Sequence, residues 1–271
     1  MTSVSKDSFQ SAINGEHATT ALHGSQLIKN SLVTLALIGG LVVGTSICLI
    51  HTSGFSLAFA FFSITAYLFS SVIVLAKLNV YPHDRFGAAN TITAIRAGIT
   101  CLIGGALFET GWLVEHSAAW LLVAAAALTL CLDGVDGYVA RHYGTNSEFG
   151  ARYDMEVDAA LILCLSILAF LYGKAGWWVI FIGGMRYLFV AAQYFSPRLQ
   201  GKLLPSPRRQ TICVLQIVCL GIILVPVVVP PVSTGFAILA LMTLCYSFGR
   251  DIAGLLHDTP GSASAIEKQA R

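Results

Sequence analysis

The stretch Ala118-Ala119-Trp120-Leu121-Leu122-Val123-Ala124-Ala125-Ala126-Ala127-Leu128-Thr129-Leu130-Cys131-Leu132-Asp133-Gly134-Val135-Asp136-Gly137-Tyr138 is almost wholly apolar up to Leu132 and then places two carboxylates three residues apart. A helix needs about 20 mostly apolar residues to cross the hydrocarbon of a bilayer. Seven further stretches meet that length: Ser31–His51, Ser56–Val80, Thr91–Phe108, Tyr153–Tyr172, Gly176–Tyr194, Thr211–Pro230 and Gly235–Leu255. The predicted fold is therefore all-α and integral to a membrane, with eight spans.

Composition agrees with that reading. Of 271 residues, 56% are hydrophobic and only 11% charged, and mean hydropathy is +0.75. A soluble domain carries about a quarter charged residues, so disorder, a disulfide scaffold, collagen and a coiled coil are excluded. A net charge of +2 is too mild to point to nucleic acid. The seven cysteines form no CxxC pair and sit in apolar surroundings, where cysteine acts as a small hydrophobe.

Loop charges set the predicted orientation. With the N-terminus in the cytoplasm, one side collects Lys6, Lys29, Lys77, Arg85, Arg141, Arg152, Arg198, Lys202, Arg208, Arg209, Arg250, Lys268 and Arg271, and the other only Lys174. Arg96 and Arg186 fall inside spans. Trp112, Trp120, Trp177 and Trp178 fall near the opposite interface as anchors. No signal-peptide layout opens the chain, and residues 1–30 read as a polar cytoplasmic tail with room for an interfacial helix. A second polar tail covers residues 257–271. The pairs Gly39-Gly40, Gly104-Gly105 and Gly183-Gly184 mark places where helices can approach closely.

Acidic residues inside a span are disfavoured by at least ~2.5 kcal/mol at the bilayer centre, and are functional candidates by default. Here they are concentrated. Asp133 and Asp136 share a helix face, and after a short connection Asp154 and Asp158, four apart, share another. Two antiparallel neighbours bring these faces to one depth on the cytoplasmic side. Four uncompensated carboxylates would repel. Hard divalent cations such as Mg2+ or Mn2+ take oxygen ligands and remedy this, and two of them can stabilise phosphoryl transfer. Arg141 can hold a diphosphate by charge-assisted bonds, and Gly137 and Ala140 leave the face without bulk.

The residues Asp133, Asp136, Gly137, Ala140, Arg141, Gly150, Asp154 and Asp158 fit D-x2-D-G-x2-A-R-x8-G-x3-D-x3-D without a mismatch. Upstream, Asn90-Thr91-Ile92-Thr93-Ala94-Ile95-Arg96 fits N-x-x-T-x-x-R. Over Phe86 to Leu255 the chain resembles the CDP-alcohol phosphotransferase family of membrane enzymes. The resemblance implies a six-helix catalytic core over residues 81–256, preceded by two accessory spans over 31–80. It implies a CDP-alcohol donor, often CDP-diacylglycerol, with its diphosphate on two metal ions, an acceptor alcohol, and a homodimer; the compact single-chain form suggests a bacterial inner membrane. By the same resemblance Asp133, Asp136 and Asp154 are metal ligands, and Asp158 is a ligand and the general base. Asp133, Gly137, Ala140, Arg141 and Gly150 would contact the cytidine diphosphate, with Asn90 and Thr93 nearby.

The acceptor is less legible. Arg186 within a span needs an anionic partner, either an acceptor phosphate or an aspartate. Arg208 and Arg209 open the seventh stretch, where relatives with phosphorylated polyol acceptors carry phosphate-binding residues; headgroup contact is the plainer reading. Arg152 is either a loop charge or a further acceptor contact. Ala159 stands where those relatives place Lys or Arg, which weighs against glycerol 3-phosphate without removing it. Glu156 reads as structural and Glu148 as a loop charge. The rival classes are a cation-coupled transporter, which predicts acids spread over several helices, and a silent scaffold, which predicts a broken motif. The acids cluster on two helices and the motif is whole.

Overall fold

The structure is a computed structural model and describes residues 4–78, 86–115, 119–142, 147–195 and 206–257. For 4–25, 113–115, 140–141 and 255–257 it describes the backbone alone. The expected tail after Thr259 and the loop charges Arg85, Arg198 and Lys202 lie outside the described residues. Among the described residues there is no strand. The α-helices are α1 (Val4–Ser53), α2 (Leu57–Lys77), α3 (Ala88–Gly105), α4 (Thr110–Glu115), α5 (Ala119–His142), α6 (Glu148–Leu171), α7 (Ile180–Phe195), α8 (Pro207–Leu224) and α9 (Val232–His257).

Seven described segments are long and apolar enough to cross a membrane: Gln26–Ser53, Leu57–Lys77, Ala88–Phe108, Ala119–Val139, Trp177–Phe195, Pro207–Leu224 and Val232–Gly254. The eighth stretch is α6, whose 24 residues match a span in length but carry Glu148, Arg152, Asp154, Glu156 and Asp158. Exposed side chains such as Leu37, Leu41, Phe61 and Phe69 would be an aggregation hazard in water; in a bilayer they face chains as apolar as themselves.

Three boundaries differ from the sequence reading. Helix α1 begins at Val4 rather than after a tail. There is no proline before Pro82, and Gly15 and Gly24 each disfavour a helix by only about 1 kcal/mol. Helix α6 begins at Glu148, five residues before Tyr153. Ser147 caps it by accepting from the Gly150 N–H at 2.9 Å, so Glu148 is a helix residue, not a loop charge. Helix α8 ends at Leu224, short of Pro230, because Pro226 cannot continue it.

The chain divides into two units, one of Met1–Phe108 with Cys131–Val157, the other of Glu109–Leu130 with Asp158–Arg271. In the first, α1 ends in a left-handed glycine cap: Gly54 takes φ +69° and its N–H donates to Ile50 O at 3.1 Å, while the Phe55 N–H donates to Leu49 O at 3.4 Å. Ser56 then caps α2, accepting from the Phe59 N–H. Lipid supplies no hydrophobic drive between helices, so close packing of small residues holds them. Gly105 of α3 lies where a Cβ would stand 2.9 Å from the Phe59 carbonyl oxygen of α2, and Gly39 of α1 lies against the Tyr67 ring. Gly40, by contrast, has open space. One core joins Leu35, Ile38 and Val42 of α1, Tyr67 and Val74 of α2, Ala94 and Ala97 of α3, and Phe149, Tyr153 and Val157 of α6. The two accessory helices thus share a core with α3 and with the start of α6.

In the second unit α8 packs along α9, and Gln216 Nε2 donates to Ala240 O at 3.0 Å. At the turn between them the Lys174 ammonium donates to the carbonyls of Val225, Pro226 and Val228 at 3.2, 3.1 and 2.6 Å. At the other end Arg208 pairs with Asp251. Gly183 of α7 lies where a Cβ would stand 2.3 Å from Leu163 Cα, so this third glycine pair also marks a close approach.

Candidate active site

Three elements of the first unit build the site. Helix α3 presents Asn90, Thr93 and Arg96 at a spacing of three, and all three are buried. The last turns of α5 supply Asp133 and Asp136, and the first turns of α6 supply Asp154. They meet at Arg96, whose side chain is 0% exposed. Its Nη1 lies 3.0 Å from Asp133 Oδ1, donates to Asp136 Oδ2 at 3.1 Å, and donates to Asp154 Oδ1. A buried lone guanidinium carries a desolvation penalty of several kcal/mol, and three surrounding carboxylates offset it.

The rest of the lining follows from short contacts. Thr93 Oγ1 lies 3.1 Å from both Asp136 Oδ2 and Ala89 O, and its single proton serves one or the other. Asn90 Nδ2 donates to Phe86 O at 2.7 Å, which fixes the amide. Its Oδ1 sits 2.8 Å from the position a Cβ on Gly150 would take. Only glycine lets the start of α6 approach α3 this closely.

Asp133 and Asp154 offer oxygens within 4.8 Å of each other, and Asp154 and Asp158 do so across one turn of α6. These donors are all carboxylate oxygens, the chemistry that hard ions such as Mg2+ and Mn2+ accept. Asp136, the other expected ligand, lies on Arg96 as Asp133 and Asp154 do, and on Thr93 as well. Within the second unit, Cys213 Sγ of α8 donates to Asp158 Oδ2 at 3.4 Å.

The model of the CDP-alcohol phosphatidyltransferase family matches residues 86–248, more than half of the chain. The chain belongs to this family. It is 32% identical over 139 residues to a probable phosphatidylglycerophosphate synthase of Mycobacterium tuberculosis (strain CDC 1551 / Oshkosh), a match that covers 51% of this chain and 66% of that one. It is 34% identical over 116 residues to a CDP-diacylglycerol–serine O-phosphatidyltransferase of Mycobacterium bovis (strain ATCC BAA-935 / AF2122/97), covering 40% of this chain and 36% of that one. The chain thus spans just under two thirds of the first relative's length and about a third of the second's. No solved structure matches.

For a member of this family the placement of the expected residues is informative. Asn90, Thr93, Asp133, Asp136, Gly150 and Asp154 lie together in the first unit. Gly137 lies one residue past Asp136 on α5, half-buried. The side chains of Ala140 and Arg141, in the last turn of α5, lie outside the described residues. Of the basic residues considered for an acceptor, Arg152 is exposed and donates to Glu148 Oε1 at 2.8 Å across one helical turn. Arg208 is engaged by Asp251, while Arg186 and Arg209 are half-buried on α7 and α8. Sequence reading left Arg96 out of the site, although it had placed that charge within a span. The available signal was its spacing of three from Thr93 and six from Asn90, which put it on the motif's own helix face.

Proposed function

We propose that this protein transfers a phosphatidyl group from CDP-diacylglycerol to the hydroxyl of a small acceptor alcohol, releasing CMP. The observation that carries the reading is the convergence of Asp133, Asp136 and Asp154, from two successive helices, around one buried point on α3. That arrangement suits a diphosphate with its counter-ions. The name of the serine transferase relative supports CDP-diacylglycerol as the donor.

In this reading Asp133, Asp136, Asp154 and Asp158 hold two divalent ions, Mg2+ or Mn2+, whose charge offsets that of the diphosphate. Asp133, Gly137, Ala140, Arg141 and Gly150, with Asn90 and Thr93, line the place of the cytidine diphosphate. Asp158 takes the proton of the acceptor hydroxyl, within about 3 Å of it in a productive pose. The acceptor oxygen bonds to the phosphorus that bears diacylglycerol. The anhydride bond to the CMP phosphate breaks, and CMP leaves with the electron pair.

A finer reading takes glycerol 3-phosphate as the acceptor, and the likeness to phosphatidylglycerophosphate synthase favours it. Arg186 and Arg209 are then the residues for its phosphate. The excess of loop Lys and Arg on one side supports a site at the cytoplasmic face; a bacterial inner membrane and a homodimer complete this reading.

Purified protein with CDP-diacylglycerol and Mg2+ or Mn2+ is expected to release CMP when glycerol 3-phosphate, serine, inositol or glycerol is supplied. Mass spectrometry of the lipid then names the acceptor. No CMP with either ion and any acceptor overturns the reading.

A further inference from the structure

We propose that Arg96 is a resident counter-ion that competes with divalent ions for the motif carboxylates. The inference rests on the reading that Asp133, Asp136 and Asp154 are ion ligands. All three lie on Arg96: Asp133 Oδ1 at 3.0 Å, Asp136 Oδ2 at 3.1 Å, and Asp154 Oδ1 in direct hydrogen bond. The guanidinium is fully buried on α3, while its partners come from α5 and α6. One nitrogen, Nη1, serves all three.

A structural ion pair needs one carboxylate. Here three meet one guanidinium, with Arg96 and Asp136 buried and the side chains of Asp133 and Asp154 25% and 34% exposed. That imbalance attracts a divalent ion, and the ion must then share these oxygens with a guanidinium. A hard ion binds carboxylate oxygen at about 2.1 Å. Two cations on the same oxygens repel strongly at such separations in a poorly screened interior. Ion entry therefore loosens the hold of Arg96 on Asp133 and Asp154. Before entry Arg96 keeps the carboxylates of two helices together, so the site is assembled without ions and binds them more weakly than a bare carboxylate cage would. Arg96 is thus a positioning residue that also sets ion affinity.

The test is Mn2+ binding to the full chain in detergent, measured by isothermal titration calorimetry and by the rise in Tm with Mn2+. Arg96→Gln removes the charge and keeps an amide. It is expected to bind Mn2+ about tenfold or more tightly than the parent, and to show a larger Mn2+-dependent rise in Tm. Arg96→Lys keeps a charge without the fork and is expected to fall between the two. A Gln variant that folds only when Mn2+ is present supports the proposal. If it folds under neither condition, the Lys variant decides, and Mn2+ affinity equal to or weaker than the parent's overturns the competition. Equal or weaker binding by a folded Gln variant overturns it likewise. If Mn2+ binds neither parent nor variants, the ion-ligand reading of the aspartates fails instead, and that outcome is distinct because the parent is itself silent.

Discussion

Gly150 stands so close to Asn90 that a Cβ on it would lie 2.8 Å from the Asn90 Oδ1 and 3.0 Å from Ser147 Oγ. The amide cannot easily give way, because it is buried and its Nδ2 is bonded to Phe86 O. Gly150→Ala is therefore expected to shift Asn90 or the α6 cap, at a stability cost of ~1–3 kcal/mol. CMP release should fall by about tenfold or more with nucleotide affinity. Parent-like turnover and CDP binding would remove Asn90 from the nucleotide site.

Asp158 and Asp136 are expected to fail in different ways. Asp158→Asn keeps shape and removes the base, so nucleotide binding persists while turnover drops by ~10²-fold or more. Asp136→Ala strips Arg96 and Thr93 of a shared acceptor. Breaking a buried charge pair costs ~3–5 kcal/mol when nothing else compensates; Asp133 and Asp154 limit the loss here. Both Mn2+ and nucleotide affinity should weaken. Calorimetry with each ligand, beside a CMP assay, separates the two behaviours, and unaltered turnover in Asp158→Asn would end its assignment as base.

The long apolar runs made the helices legible, because a span needs a length and a composition that little else in a sequence imitates. The carboxylate faces were legible for the same kind of reason: spacings of three and four on a helix put Asp133 with Asp136, and Asp154 with Asp158, before any tertiary contact is known. The role of Arg96 was not, since it depends on which helix α5 and α6 pack against, and one-dimensional spacing does not carry that. The boundary at Glu148 was missed because α6 begins with polar residues, and hydropathy does not register a capping serine at Ser147. The accessory helices read as an addition to the core, yet Tyr67 of α2 and Tyr153 of α6 share one cluster.

That shared cluster makes the contact between α2 and α3 a matter of function as well as stability. A Cβ on Gly105 would stand 2.9 Å from the Phe59 backbone oxygen, which cannot swing away, and closer still to Ser63 Oγ. Gly105→Val is expected to part the two helices, lowering stability by ~1–3 kcal/mol or more and CMP release with it. Gly40 has nothing within 4 Å, so Gly40→Ala should leave Tm and turnover at parent values or slightly raise Tm. Thermal unfolding in detergent compares the pair. Equal behaviour of the two variants would show that the accessory helices do not press on α3 through Gly105.

Arg208 and Arg209 are neighbours on α8, and replacing each in turn splits the acceptor question. Arg208 is paired with Asp251 of α9, so its charge is already spent within the second unit. Arg208→Ala and Asp251→Asn are each expected to lower stability by a similar ~1–3 kcal/mol, read as a fall in Tm, and to leave the acceptor KM unchanged. Arg209 is half-buried at the start of α8. If the acceptor carries a phosphate, Arg209→Ala should raise its KM by about tenfold, as loss of one charge-assisted bond of ~1.5–3 kcal/mol requires, with kcat nearly kept. A KM that rises in Arg208→Ala but not in Asp251→Asn would reassign Arg208 to the acceptor. A KM for glycerol 3-phosphate unmoved in Arg209→Ala would take that residue out of the acceptor site and leave Arg186 to be tested in the same way.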